Sequence, residues 1–431
     1  MSFTFVDLFA GIGGFHNALQ ELGGECVFAS EWDPAAAAVY ELNWGLRPHG
    51  DIVPLTEPRV CIPPHDVLCA GFPCQPFSKS GFQRGMAETR GTLFWNICRV
   101  LEARKPPLVL LENVRNLAGP RHRETWQTIV GSLRELGYWV TSEPTVLSPH
   151  WLPPALGGTP QVRERVFIAG VHVGPDLARM LPSPPIVSRG PIGGWDPQTW
   201  NLARDLPLED DDAIQHLERY RLTDAEERWI DIWDDFLASV DVERMPGFPI
   251  WADAFVTDPV IPGGTPLWKV GFLEKNATFY RDNKVAIDAW LARHGNLSAV
   301  PPSRRKLEWQ AQDTPRSLRN CVLHFRPSGI RAKKPTYVPA LVAITQTSVI
   351  GSRGRRLTPR EAARLQGLPE TFDFGDQPEA ATYRQLGNGV ARGAILWAMS
   401  ETTRQMAEYL PVHLRHLDPW GSESSAFLMA A

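Results

Sequence analysis

The opening of the chain, through Leu22, constrains the fold more than any other stretch. Phe3 to Phe9 alternates and is apolar, which reads as a strand, and Ala10-Gly-Ile-Gly-Gly14 follows it directly. Phe15, Ala18, Leu19 and Leu22 fall at i, i+3, i+4 and i+7, the spacing of an amphipathic helix, which Gly23-Gly24 stops. Strand, glycine-rich turn and helix in that order begin a doubly wound α/β sheet, and the glycines let a ligand approach the backbone. Cys26 to Ser30 reads as the next strand. Glu31 ends it, about 20 residues past the glycines, where such folds place the acid that binds ribose hydroxyls. Trp32 beside it offers a face for adenine. Asp33-Pro34 is an N-cap with proline at the first helical position, opening a helix through Trp44. Asp51 is expected at a third strand end. The turn lacks the third glycine of dinucleotide spacing and its helix lacks a pyrophosphate grip. Both favour an adenosine ligand without phosphates, of which S-adenosyl-L-methionine is the obvious one.

A length of 431 residues is too great for one ordinary core and predicts two domains. A net charge of -4 does not announce a nucleic-acid binder, so any such surface must be local. Six cysteines without paired spacing indicate neither a disulfide scaffold nor a structural metal site, and no metal is expected. The first strand starts by Phe3, which leaves no room for a signal peptide, and no apolar run reaches transmembrane length. A reducing cytoplasm fits.

In Asp66 to Gly81 a short apolar run (Val67, Leu68, Cys69, Ala70) reads as a buried strand broken by Gly71 and Pro73. Cys74 stands just past its carboxyl end, the edge at which open α/β sheets hold ligands. Gln75 to Gly91 has no period and reads as a lid. A helix from Leu93 ends at Lys105-Pro106-Pro107. A strand over Leu108 to Leu111 then delivers Glu112-Asn113 to the same edge, where burial would raise the pKa of the carboxyl. A helix over 121–136 and a strand over 138–147 follow. Gln161-Val-Arg-Glu-Arg165 leads into a strand, and its alternation lets Arg163 and Arg165 share a face.

From about Ser183 the helix–strand alternation is lost, so a domain boundary is expected there. Residues 205–243 are acidic and helical, over Ile214 to Tyr220 and Ala225 to Ala238. The stretch 301–334 is the opposite. Arg304, Arg305, Lys306, Arg316, Arg319, Arg326, Arg331, Lys333 and Lys334 face only Glu308 and Asp313 in sequence, with Trp309 and Phe325 interleaved. That pattern predicts a local DNA-binding surface. A helix opened by Thr358-Pro359, the tight turn Gly387-Asn-Gly-Val390 and a long helix over Ala391 to Tyr409 return to the first domain's style.

Together these motifs resemble the DNA (cytosine-5)-methyltransferases. They are Asp7-Leu-Phe-Ala-Gly-Ile-Gly-Gly14, Glu31-Trp-Asp33, Gly50-Asp-Ile52, Gly71-Phe-Pro-Cys-Gln-Pro-Phe-Ser78, Arg90-Gly-Thr-Leu-Phe94, Glu112-Asn-Val114, Gln161-x-Arg-x-Arg165, Arg356-Leu-Thr-Pro-Arg-Glu361 and Gly387-Asn-Gly-Val390. They occur in the family's order. Pro339-Ala340 stands where the family often has Pro-Thr, which puts one hydroxyl contact to DNA in doubt.

The resemblance implies an α/β, Rossmann-like methyltransferase domain with a smaller, mixed target-recognition domain inserted. Residues 1–184 and 378–415 would form the first, and residues 185–377 the second. It implies Cys74 as a nucleophile toward C6 of a flipped cytosine, Glu112 at N3 and Arg165 at O2, with Asn113 and Arg163 also in the catalytic set. Phe9, Gly11, Ile12, Gly13, Glu31, Trp32, Asp51, Ile52, Phe72, Pro73, Leu93 and Asn388 would bind S-adenosyl-L-methionine, released as S-adenosyl-L-homocysteine. Gln75, Ser78, Ser80, Arg90, Arg304, Arg305, Lys306, Arg316, Arg319 and Arg331 would contact double-stranded DNA. The expected setting is a prokaryotic, nucleoid-associated monomer on DNA, with a cognate restriction endonuclease or another defence-system protein as partner. The alternatives are a transfer-RNA cytosine methyltransferase, which usually has a shorter insertion, and a catalytically silent DNA reader.

Overall fold

The computed structural model describes residues 2–73, 92–184, 188–341 and 347–421. The chain forms two compact units. The first comprises residues 1–200, 339–345 and 359–431, and the second residues 201–338 and 346–358. The divisions therefore fall at 200/201 and 358/359, not at the expected 184/185 and 377/378. Between 185 and 200, Ile192 and Trp200 are buried in the first unit, and Trp200 donates its indole N–H to the His150 carbonyl at 2.9 Å.

The first unit is built on a seven-stranded sheet. Its strands are β1 (Phe3–Leu8), β2 (Gly24–Ser30), β3 (Val67–Gly71), β4 (Leu108–Val114), β5 (Tyr138–Val140), β6 (Thr145–Leu147) and β7 (Arg165–His172). The order is β2-β1-β3-β4-β7-β5, with β6 also on β7. The first four are parallel, and β7 runs antiparallel to β4. Near-continuous apolar runs such as Val67-Leu-Cys-Ala70 suit strands buried on both faces. The single strand expected over 138–147 is two short ones, each paired with β7.

Helices α1 (Gly14–Glu21), α2 (Pro34–Trp44), α3 (Ile52–Thr56), α4 (Leu93–Arg104), α5 (Arg123–Glu135) and α6 (Pro175–Met180) belong to this unit. Asp33 caps α2 by accepting from the Ala35 amide at 2.9 Å, as its sequence indicates. The glycine turn is held by close packing. Gly13 has φ +90°, and a Cβ there would lie 2.1 Å from Trp44 Nε1. A Cβ on Gly14 would lie 3.0 Å from the Val390 carbonyl oxygen, so the Gly387–Val390 segment seats on the turn.

The second unit holds α7 (Leu202–Asp205), α8 (Asp224–Ser239), α9 (Leu267–Asp282) and α10 (Lys284–Arg293). Its six-stranded sheet consists of β8 (Ile250–Trp251), β9 (Lys306–Gln310), β10 (Val322–Arg326), β11 (Gly329–Lys333), β12 (Val349–Ile350) and β13 (Arg355–Arg356). Thr223 and Glu226 form a capping box on α8. The helix expected over 214–220 is only a short 3-10 turn at Leu217–Arg219. Three further helices of the first unit complete the chain: α11 (Pro359–Gln366), α12 (Glu379–Asn388) and α13 (Arg392–Gln405). Helix α13 is buried in the same core cluster as α1, with Ile395, Leu396 and Met399 fully enclosed. Among the described residues no helix is long and apolar enough to cross a membrane, and no group of three His, Cys, Asp or Glu could hold a metal ion.

Two glycines give opposite expectations. Gly13→Ala adds a clash to a left-handed backbone and should cost about 2–4 kcal/mol of unfolding free energy. Gly131, inside α5 with open space at its Cβ position, should gain about 0.5–1 kcal/mol on replacement by Ala. Denaturant titration of the two variants measures both.

Candidate active site

Glu112 sits on β4 opposite Gly71, the last residue of β3. A Cβ on Gly71 would be 3.4 Å from Glu112 Oε2, so that oxygen stands over the end of the strand that leads to Cys74. Its other oxygen, Oε1, accepts from Arg165 Nε at 2.9 Å. The pair is largely enclosed, with side-chain exposures of 17% for Arg165 and 9% for Glu112. Burial pushes the Glu112 pKa above the usual carboxylate range, and the Arg165 and Arg163 charges pull it partly back. The result is an enclosed acid with one oxygen fixed and one facing the strand end. Such a group can hold or share a proton.

Arg163 and Arg165 hold different partners. The Arg163 guanidinium is 1% exposed and donates to backbone carbonyls of Leu341 at 3.1 Å, Gly387 at 2.8 Å and Gly389. Its amide N–H donates to Ser148 Oγ at 2.8 Å, which in turn meets His150 Nδ1. Burial, then the Arg165 charge, lowers its pKa, and Glu112 raises it. The residue expected in the catalytic set is therefore placed as a clamp on the Gly387-Asn-Gly389 turn. Asn113 is likewise turned away from solvent. Its Nδ2 donates to the Phe72 carbonyl at 2.8 Å, and its Oδ1 accepts from the Val114 amide at 2.9 Å, joining the ends of β3 and β4.

Of the residues expected at a cofactor, Phe9, Gly11, Glu31 and Trp32 lie at or just past the carboxyl ends of β1 and β2. Phe9 turns the chain with φ +57°, a conformation that costs an L residue about 1 kcal/mol or more. Glu31 Oε2 accepts from the Gly11 amide and Oε1 from the Asp33 amide, both at 2.8 Å. Each oxygen keeps lone pairs for further donors, and burial raises the Glu31 pKa. Trp32 beside it is 81% exposed, far more than is usual for an indole. Asp51 is not at a strand end. His49 bridges to β2 through Glu31 N–H to His49 O (2.9 Å) and His49 N–H to Ala29 O (2.8 Å), and Ser30 Oγ donates to the Gly50 carbonyl. These bonds bring Asp51 alongside Glu31, where it caps α3 through the Val53 amide at 3.0 Å. Ile12, Ile52 and Phe72 are buried, Gly13 is packed under Trp44, Leu93 opens α4, and Asn388 is exposed at the end of α12. Pro73 is the last described residue before the gap. Cys74, Gln75, Ser78, Ser80 and Arg90 lie outside the described residues.

Much of the expected basic stretch holds partners inside the second unit. Arg319 pairs with Glu227 (2.8 Å) and Asp231 (2.7 Å), Arg356 with Glu226 (2.5 Å) and Arg305 with Asp253 (3.2 Å). Arg316 donates to the Val242 and Glu243 carbonyls, and Lys334 pairs with Asp313. Arg304 lies over Trp229 at 5.1 Å and Phe325 at 5.4 Å and donates to the Arg326 carbonyl. The acidic helix and the basic stretch satisfy each other inside one unit. Cations of a different kind remain. Strand pairing puts Leu307, Trp309, Leu323, Phe325, Ile330 and Ala332 on the core face of the second sheet. Lys306, His324, Arg326, Arg331 and Lys333 fall on the opposite face, with Glu308 bonded to Arg331 at 2.6 Å. His324 is pushed down to about 4 by burial and by Lys333, Arg331 and Arg326.

Comparison with known proteins bears on both units. The family model of the C-5 cytosine-specific DNA methylases matches residues 3–235 and 273–396. The chain is 45% identical to the Type II methyltransferase M.AluI of Cellulosimicrobium cellulans, over 94% of this chain and 92% of that one. It is 48% identical to M.HpaII of Haemophilus parainfluenzae, over 91% and 87%, and 30% identical to M.BanI of Aneurinibacillus aneurinilyticus, over 90% and 93%. The chain belongs to the C-5 cytosine-specific DNA methylase family and is a DNA (cytosine-5)-methyltransferase.

Proposed function

We propose that the chain methylates C5 of a cytosine in a specific duplex DNA sequence by covalent catalysis at Cys74, with S-adenosyl-L-methionine as methyl donor. The observation that carries the residue assignment is the enclosed Glu112–Arg165 pair over the strand end that runs into Cys74. Cytosine C5 is a weak nucleophile. Addition of the Cys74 thiolate at C6 places an electron pair where C5 can use it. Glu112, held acidic by burial, supplies a proton or hydrogen bond at N3 as negative charge develops there, and Arg165 faces O2. Loss of the C5 proton and departure of the thiolate restore the ring. A base stacked in a duplex cannot reach this edge, so the cytosine must be flipped out at a cost of a few kcal/mol.

Bound S-adenosyl-L-methionine supplies an electrophilic methyl group and leaves as S-adenosyl-L-homocysteine. Glu31, with lone pairs free on both oxygens, suits ribose hydroxyls. The exposed Trp32 suits an adenine face, and Asp51 beside them suits its edge. Phe9, Gly11, Ile12, Gly13, Ile52, Phe72, Pro73, Leu93 and Asn388 complete the proposed site. For duplex DNA, Lys306, Arg326 and Lys333 of the second sheet join Arg304, Arg305, Arg316, Arg319 and Arg331 as the candidate contacts, and of these Arg305, Arg319 and Arg331 each hold a carboxylate. The Type II names of the bacterial relatives support a role in restriction–modification in a prokaryotic cytoplasm, with a cognate endonuclease as partner.

Duplex DNA carrying 5-fluorocytosine cannot lose the C5 substituent, so the wild-type chain should form an adduct that survives a denaturing gel. Cys74→Ala should form none and transfer no methyl groups; ordinary turnover by this variant would sink the covalent route. Glu112→Gln should lower the rate by about 10²-fold or more. Because the acid form is the active one, the rate should fall as pH rises through the elevated Glu112 pKa. Removing the neighbouring positive charge in Arg165→Gln raises that pKa further, so the alkaline limb of the pH–rate profile should move to higher pH. Stability should separate the two arginines. Arg163→Lys leaves buried carbonyls without donors and should cost about 3 kcal/mol or more, whereas Arg165→Gln should cost about 1 kcal/mol or less, as read by denaturant unfolding.

A further inference from the structure

Asp7 lies near the carboxyl end of β1, on the side of the strand that Phe3 and Phe5 bury in the core. It is fully buried, and neither carboxyl oxygen has a hydrogen-bond partner among the described residues. An ionised carboxylate in that state is costly, so the group keeps its proton. Burial and then the Glu31 charge push its pKa well above the carboxylate range, and the nearby His16 amide offsets only part of this. Ala29 of β2 and Cys69 of β3 stand across from it in the sheet. Cys26 of β2, His16 of α1 and Tyr40 of α2 are its other neighbours. None of these is a cation: burial pushes the His16 imidazole down to about 4 and the Cys26 thiol up to about 12. His16 Nδ1 lies 2.7 Å from the Tyr40 hydroxyl, which meets Cys26 Sγ at 3.4 Å. The His16 ring stacks on Trp44 at 4.6 Å, and Trp44 Nε1 donates to the Ile12 carbonyl at 3.1 Å. The cluster around Asp7 is therefore the floor of the glycine turn.

We propose that Asp7 distinguishes donor from product by charge: it gives its proton to solvent when a sulfonium occupies the glycine turn, and regains it when the ligand there is the neutral thioether. This rests on the reading of S-adenosyl-L-methionine as the methyl donor. An unpaired acid in a closed pocket answers a positive charge brought near it, because the intervening medium screens that charge weakly. Donor and product share the adenosine and the amino-acid end, and differ in the sulfonium charge. Glu31, with lone pairs for ribose hydroxyls, meets what the two share. Asp7 responds to what differs. Once ionised it favours the donor over the product, so spent product is displaced more readily by fresh donor.

The test titrates the full-length chain with each compound by calorimetry between about pH 6 and about pH 9. Wild-type affinity for S-adenosyl-L-methionine should rise with pH relative to that for S-adenosyl-L-homocysteine, and Asp7→Asn should remove that rise. At the alkaline end the variant should bind the donor about tenfold more weakly and the product within about twofold of wild type. Buffers of different ionisation heat count the protons. Release on donor binding should be larger in wild type than in Asp7→Asn, and the ligand's own amino group titrates alike in both proteins and cancels in the difference. Asp7→Ser, smaller and equally unable to ionise, should behave as Asp7→Asn does. Without ligand, the thermal midpoint of Asp7→Asn should exceed that of wild type at the alkaline end. The gap should close toward acid, because a raised folded pKa gives stability that is lost as pH rises. Equal proton release by wild type and variant overturns the proposal. So does a parallel loss of affinity for donor and product, or a midpoint gap that does not change with pH, either of which marks Asp7 as structural only. Failure of the wild type to bind S-adenosyl-L-methionine would instead overturn the reading beneath it.

Discussion

A single buried guanidinium closes the first unit. Arg163 lies just before β7 and reaches three carbonyls, two of them in the Gly387–Gly389 turn and one in the returning segment at Leu341. Those segments are 178 to 226 residues away along the chain, with residues 201–338 of the second unit in between. An apolar side chain could fill the space, but it could not satisfy the carbonyls, and a buried carbonyl without a donor is costly. The fixed fork of a guanidinium suits several acceptors at once. The turn it holds is also the one whose Val390 seats on Gly14, so the clamp and the glycine turn act through the same piece of backbone.

The charged pair beside it works differently. Glu112 and Arg165 are adjacent across β4 and β7 because Arg165 pairs with Val114, two residues along. Their bond fixes one carboxylate oxygen while burial keeps the proton affinity of the group high. Asn113 and Gly71 then bring the neighbouring strand end against it. Three consecutive features of one sheet edge thus produce a fixed acid, where an exposed strand-end glutamate would be an ordinary solvated carboxylate.

In the second unit, charge balance rather than charge count sets what the surface can do. Helix α8 carries Glu226, which holds Arg356, and Glu227 and Asp231, which share Arg319, partners 88 to 130 residues away in sequence. Sequence composition sees an acidic block and a basic block and suggests opposite ends of a polar domain. Folding brings the blocks together, so most of that arginine charge serves packing. Strand alternation then separates the β9, β10 and β11 side chains into a core-facing set and a second set that includes Lys306, Arg326, Arg331 and Lys333, with Arg331 held by Glu308.

The sequence by itself determined the strand–turn–helix opening, the strand ends at Glu31 and Glu112, the cap at Asp33 and the family. These rest on local rules: periodicity, glycine and proline placement, and capping, each contained in a few neighbouring residues. Tertiary structure alone decided that Arg163 clamps the Gly387–Gly389 turn, and that Asn113 joins two strands. It also decided that Asp51 caps α3 just past a bridge from His49 to β2, and that Arg304, Arg305, Arg316 and Arg319 hold partners within the second unit. In each case the partner is a carbonyl or carboxylate distant in sequence, and a backbone carbonyl carries no residue identity. No pattern of side chains could name those partners; only the folded backbone brings them within hydrogen-bonding distance.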